Sequence, residues 1–273
     1  MSSAAVEVAR SYYDSDDADQ FYSAVWGGED IHIGIYRSKL EPIADASRRT
    51  VQEMAQRIPD LERGQRVVDL GSGYCGAARY LAREHGLRVD AVNLSEVENR
   101  RARELNQAAG LRDRIQVVDG SFETLPFEDG LFDLAWSQDA ILHSERREQV
   151  LHEAHRVLRA GGHMVLTDPM QSDDCPPGVL QPILDRIHLG SLGSPRFYQA
   201  AAEKVGLVLD DYTDLTPQLV NHYRRVLEET EARASDLRVS AAYLERMRTG
   251  LRHWIEGGEA GHLAWGIFLF RKP

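Results

Sequence analysis

The chain has 273 residues, 42% of them hydrophobic, enough for one large core and a small appended subdomain. Its 43 Asp and Glu against 32 Lys and Arg leave a net charge of -11, which repels phosphate backbones, and no basic stripe offsets it, so nucleic acid is not expected as a partner. Two cysteines, Cys75 and Cys175, make neither a disulfide framework nor a metal cluster and suit a reducing compartment, while no apolar run approaches the roughly 18 residues of a membrane span.

The chain opens without a basic segment followed by an apolar one, so no signal peptide is expected and a cytoplasmic location is. "YYDSDDADQFY" then mixes Tyr12, Tyr13, Phe21 and Tyr22 with four aspartates. It reads either as an acidic helix whose aromatics pack, or as a lid over a small cation. Residues 1–62 are expected to form a helical N-terminal lid. A core follows over 63–215, where "RVVDLGSG", "RVDAVNLS", "RIQVVDGS", "LFDLAWSQ" and "HMVLTDP" read as strands alternating with helices. The helix "RREQVLHEAHRVLRAGG" is expected to close on its Gly-Gly. "MQSDDCPPGVLQP" reads as a loop, "LVLDDYTDL" as a strand, 216–256 as a helical insertion, and 257–273 as the last strand, "LAWGIFLFRK". The alternation predicts an α/β fold with a doubly wound, mostly parallel sheet.

Gly71, Gly73 and Gly76 in "DLGSGYCG" have G-x-G-x-x-G spacing between a predicted strand and a helix, so a ligand is expected to approach the backbone there. Asp69 stands where a nicotinamide fingerprint carries an apolar residue, and the second strand ends in Asn93 rather than an acid, which tilts the choice away from NAD. "HEAH" spaces two histidines for a solvated or packing role rather than for metal.

D-L-G-x-G resembles the cofactor loop of class I S-adenosyl-L-methionine methyltransferases. That resemblance implies a Rossmann-like, seven-stranded sheet with an antiparallel last strand. It also implies that Asp69, Gly71, Ser72 and Gly73 hold the methionine end of the cofactor. The ribose falls at "NLSEVEN", with Asn93, Leu94 and Glu98, and the adenine at "DGSFETLPF", with Gly120, Ser121 and Phe122. Ser137 and Gln138 border the cofactor by family position. Over nearly the whole chain, "YYDSDDADQFYSAVWGGEDIHIGIY", "WSQDAILHS", "TDPMQSDDCPPGVLQPILDRIHLGSLGSPRFY" and "RTGLRHWIEGGEAGHLAWGIF" resemble the sarcosine/dimethylglycine N-methyltransferases, which make glycine betaine. More distantly the chain resembles phosphoethanolamine methyltransferases. Cys75 departs from the expected pattern, where glycine would stand.

The substrate so implied is a small amine carboxylate, and the protein a monomer or weak homo-oligomer. Such an amine is mostly protonated at neutral pH and must lose its proton before transfer. His143, ending "DAILH" on the ligand side of the sheet, is the candidate base, or else orients a loop. By the phosphoethanolamine likeness it pairs with Tyr13, with Tyr12 an alternative. Asp139 offers a carboxylate to the cation or caps a helix. Arg186 approximately matches an anion-binding arginine of the phosphoethanolamine enzymes; Arg196 and Arg37 are rivals, and His188 is a possible helper. A quaternary ammonium attracts aromatic faces by about 0.5–2 kcal/mol each. Tyr22, Trp26, Trp136 and Trp254 are available, and the i, i+4 pair Tyr22 and Trp26 suits a latch.

Overall fold

The computed structural model describes residues 16–26 and 29–273. Tyr12 and Tyr13 lie outside them. Seven strands form one sheet: β1 (Arg66–Leu70), β2 (Arg88–Asn93), β3 (Ile115–Asp119), β4 (Phe132–Gln138), β5 (Leu158–Thr167), β7 (Val208–Asp214) and β9 (Gly266–Arg271). Their order is β3-β2-β1-β4-β5-β9-β7, and β9 runs antiparallel to both neighbours. The order reverses beside β1, which opens a crevice at the carboxyl ends of β1 and β4.

Helices α3 (Gly76–Glu84), α4 (Glu96–Ala108), α5 (Arg147–Val157) and α7 (Pro195–Val205) connect these strands. Two apolar clusters cover the two faces of the sheet, one containing Leu70, Phe132 and Phe268, the other Val67, Leu134 and Ile267. This is strand alternation sorting successive side chains to opposite faces. A third cluster lies under a helical cap of α1 (Asp16–Val25), α6 (Gln181–Ile187), α8 (Thr216–Ala232) and α9 (Ala241–Glu259), and includes Phe21, Trp26, Leu219, Trp254 and Trp265.

Three local expectations are corrected. Residues 1–62 were expected to be helical, but between α1 and α2 (Ile43–Arg57) the described chain forms an irregular strap over 29–42. Its amides bond across the fold instead of along a helix: Ile33 N–H donates to Asp139 Oδ2 (2.7 Å), Gly34 N–H to His222 Nδ1 (3.1 Å) and Tyr36 N–H to Gln218 Oε1 (2.9 Å). Helix α5 ends at Val157, not at the Gly-Gly, because Leu158 is already extended and pairs with Phe132. Gly161 instead takes a positive φ of 74° inside the long β5. The last strand is broken at Trp265: β8 (Leu263–Ala264) pairs with β6 (Met170–Gln171), within the stretch expected to be loop, and β9 alone joins the sheet.

Candidate active site

The first pocket opens at the carboxyl end of β1. Gly71 (φ 80°) and Gly73 (φ 49°) both adopt left-handed backbone, which a side chain would strain. A Cβ on Gly71 would stand 2.4 Å from the Ala140 Cβ, so this glycine lets the β1 and β4 ends meet. The third glycine has a different task. A Cβ on Gly76 would fall 2.1 Å from Asp30 Oδ1 and 2.4 Å from the Glu29 carbonyl oxygen, so this glycine, which also lines the pocket, makes room for the strap. Cys75 sits at φ 60°, which explains why glycine suits the position; burial pushes its thiol up to about 12, leaving it unreactive.

Asp69 is 3% exposed on this pocket's wall, and burial pushes its carboxyl up to about 7. Ser72, Leu94, Ser121 and Phe122 share the wall. Glu98 stands at the β2 end, its Oε2 accepting from the Asn93 amide at 2.9 Å, and both residues line the pocket. Gln138 also lines the pocket, and its Nε2 is buried with no hydrogen-bond partner among the described residues.

Two expected cofactor residues stand elsewhere. Gly120 is off the wall, its N–H tying the β3 end to the Asn93 carbonyl (3.1 Å). Ser137 is fully buried and donates to the Leu70 carbonyl (3.0 Å), joining β1 to β4.

The second pocket lies under the cap. Tyr22 on α1 and Trp26, just past its end, pack with rings tilted by 57° at 5.2 Å between centres, and Tyr223 on α8 stacks on Trp254 of α9 at 5.0 Å. All four line the space. Trp136, by contrast, is fully buried in β4 and donates to Gln138 Oε1 (2.9 Å). Arg186 reaches the wall and donates to Met247 Sδ (2.8 Å). Gly250 makes room for it: a Cβ there would lie 2.0 Å from Arg186 Nε. Arg37 and Arg196 are exposed and away from the pocket, and His188, the exposed cap residue ending α6, faces an outer groove instead.

Ile31, His32, Asp139 and His143 line both pockets. Asp139 is no helix cap: Oδ2 accepts from Ile33 N–H, and Oδ1 accepts from Thr167 Oγ1 (2.9 Å) and Trp265 Nε1 (2.8 Å). Burial raises its carboxyl, and these donors pull it back. His143 ends a 3₁₀ turn (Ile141–His143) held from both sides. Asp168 accepts from Leu142 N–H (3.0 Å), and Arg147 donates to the Leu142 carbonyl (2.9 Å). Burial, then the Arg147 cation, lowers the His143 imidazole to about 4, so it is neutral at pH 7. His32, Tyr223, Trp265 and Gly250 were not among the residues expected from sequence.

These groups fit S-adenosylmethionine, with a carboxylate for its ammonium, glycines for its methionine end and an acid at the ribose position. Asp69 gives a testable consequence. A bound ammonium draws its carboxyl back toward ionisation, so cofactor binding at pH 6 is expected to release up to about one proton, and at pH 8.5 almost none. Titration calorimetry in buffers of different ionisation enthalpy reads this directly; equal proton release at both pH values would sink it. The raised carboxyl also favours the fold below its ordinary value of 3.8 and loses that contribution as pH rises through about 7. Asp69→Asn is therefore expected to melt higher than the parent at pH 8 while losing cofactor affinity.

Among the described residues no group of three or more His, Cys, Asp or Glu could hold a metal, and no helix is long and apolar enough to cross a membrane. Residues 68–166 match the family described as "Methyltransferase domain". Across 98% of this chain and 97% of its own length, the sarcosine/dimethylglycine N-methyltransferase of Halorhodospira halochloris is 55% identical. The one from Aphanothece halophytica is 54% identical over 99% and 98%. A crystal structure assigned as a sarcosine dimethylglycine methyltransferase, from Galdieria sulphuraria, superposes with a TM-score of 0.90 at 45% identity, covering 94% of this chain and 98% of its own. The glycine loop, the double pocket and this full-length likeness coincide on one conclusion: the chain belongs to the sarcosine/dimethylglycine N-methyltransferases, S-adenosylmethionine-dependent enzymes of the class I fold.

Proposed function

We propose that the protein methylates sarcosine and dimethylglycine to glycine betaine, leaving S-adenosyl-L-homocysteine. The observation that carries this is the second pocket: four aromatic rings with one arginine, joined to the first pocket through four shared residues. Aromatic faces attract a methylated ammonium that has few or no hydrogen bonds to give. Arg186 is the single Lys or Arg on that wall among the described residues, which suits a carboxylate better than a phosphate dianion.

The bound cofactor supplies a methyl group on a sulfonium. The chain's own residues align the amine and exclude water. Tyr22, Trp26, Tyr223 and Trp254 enclose the methyl groups, and Arg186 fixes the carboxylate. His143, kept neutral by burial and the Arg147 cation, has a proton affinity too low to store the amine's proton. Asp69, the glycine loop and Glu98 hold the cofactor.

The direct test is S-adenosylhomocysteine release with glycine, sarcosine, dimethylglycine and phosphoethanolamine, with betaine identified by mass. Turnover confined to phosphoethanolamine, or absent with all four, would overturn the substrate assignment. Gly250→Ala, which crowds Arg186, is expected to raise the KM for dimethylglycine about 10- to 100-fold, the value of one charge-assisted hydrogen bond, with cofactor affinity unchanged. An unaltered KM would remove Arg186 from the site.

A further inference from the structure

We propose that Arg147 is a positioning residue for methyl transfer, holding the wall at the amine end of the substrate pocket at a fixed distance from the arginine at its carboxylate end. This rests on the amine-methylating function above. Arg147 itself lines neither pocket, and the sequence pattern did not mark it.

Sarcosine and dimethylglycine are short, with a single methylene between nitrogen and carboxylate. Such a molecule cannot bend to suit a misplaced wall, so the protein has to set the separation. At one end stand Leu142 and His143, on the 3₁₀ turn, and at the other Arg186, on α6. Arg147, the first residue of α5, is 6% exposed and bridges the two. Its Nη2 donates to the Leu142 carbonyl at 2.9 Å and to the Ser191 carbonyl at 2.5 Å, and its Nη1 to the Ser191 hydroxyl at 3.3 Å. Ser191 belongs to the short segment that leaves α6. That segment is tied back to the helix, since Leu189 N–H donates to the Leu184 carbonyl (3.0 Å). Leu189 and Leu192, on either side of Ser191, are buried in the cluster under the cap.

These contacts close into a ring. Beyond Ser191, Gly193 lies against Tyr198 of α7: a Cβ there would stand 2.7 Å from the ring Cε2. The Tyr198 hydroxyl donates to Asp168 Oδ2 (2.5 Å), and Asp168 Oδ1 accepts from Leu142 N–H (3.0 Å). Both polar groups of the Leu142 backbone are thus held by buried side chains, a carboxyl just past β5 and the guanidinium. Arginine suits the bridge because its planar fork presents several donors in fixed directions.

The test compares dimethylglycine with N,N-dimethyl-β-alanine, one methylene longer, in the parent, Arg147→Met, Arg147→Lys and Ser191→Ala. Turnover is measured with dimethylglycine, and the longer amine is measured as a competitor. Arg147→Met is expected to lower kcat/KM for dimethylglycine about 100-fold, with KM raised at least about tenfold. The inhibition constant of the longer amine should move by less than about threefold, because a loosened wall suits its extra length. Arg147→Lys, which keeps the charge on a shorter stem, should fall between parent and Arg147→Met. Ser191→Ala, at an exposed position, should move the ratio of the two constants the same way by about twofold. Equal shifts in both constants are what general loosening of the fold produces, and they overturn the proposal. An unchanged KM and kcat in Arg147→Met overturn it as well. If Arg147→Met fails to fold, the ratio in Arg147→Lys and Ser191→Ala decides, and an unaltered ratio in both counts against it. A parent enzyme silent on dimethylglycine overturns the substrate reading itself, an outcome separate from an active parent whose variants keep its ratio.

Discussion

Gly71→Ala is expected to abolish cofactor binding at working concentrations, with affinity reduced at least about 100-fold, or about 2.8 kcal/mol. Two effects add. The left-handed backbone at φ 80° costs a β-carbon about 1–2 kcal/mol. The new methyl also lies 2.4 Å from Ala140 Cβ, inside any tolerated contact, so the Ala140 turn must move. That turn carries Asp139 and His143 on either side, so pocket walls shift as well as the loop. Calorimetric titration with S-adenosylmethionine, beside a melting curve, separates lost binding from lost folding. Parent-like affinity would show that the cofactor does not need this approach.

Asp139→Ala is the second large effect, and it acts on stability and turnover together. The substitution leaves three donors without their acceptor: the Ile33 amide, the Thr167 hydroxyl and the Trp265 indole. Each orphaned group costs about 1–3 kcal/mol, so a loss of about 4 kcal/mol and a melting point lower by about 10 °C are expected. The strap and Trp265 then lose their common anchor, and misplacement of the site walls by about 1 Å lowers kcat by about 100-fold or more. Asp139→Asn, of the same shape but with one oxygen replaced by a donor, should fall between the two. A stable but inactive Asp139→Ala would mean that the carboxylate serves substrate alone and holds nothing together.

The sheet and its glycine loop were legible because their signals are local: a short β-rich run, glycines at fixed spacing, then a helical period. Asp69 and the "DAILH" block were legible for the same reason, since both sit at strand ends where a parallel sheet gathers ligands. The substrate pocket was only half legible. Tyr22, Tyr223 and Trp254 are aromatics on helices and Trp26 directly follows one, but a helical period cannot separate the face turned to a pocket from the face turned to the core. Trp265 reads as one more residue of a continuous strand, and only the pairing of β8 with β6 reveals the break that turns its indole to Asp139. His32 sits in "DIHIGI", which carries no helix or strand cue; its place depends on amide bonds to residues 106, 188 and 182 positions away along the chain. Ser137 and His188 failed for the converse reason. Proximity in sequence to a site residue does not fix which way a side chain points, and in a strand alternate residues point apart.

The strap at residues 29–33 has a thermodynamic corollary. Its Glu29 and Asp30 rest against Gly76 at the start of α3, and its Ile31 and His32 form wall for cofactor and amine alike. Two ligands that share a wall are linked, and linkage is reciprocal: whatever factor one imposes on the affinity of the other is returned in full. The coupling between the two ligands therefore runs through a single short segment, and a titration of either ligand in the presence of the other reads its size.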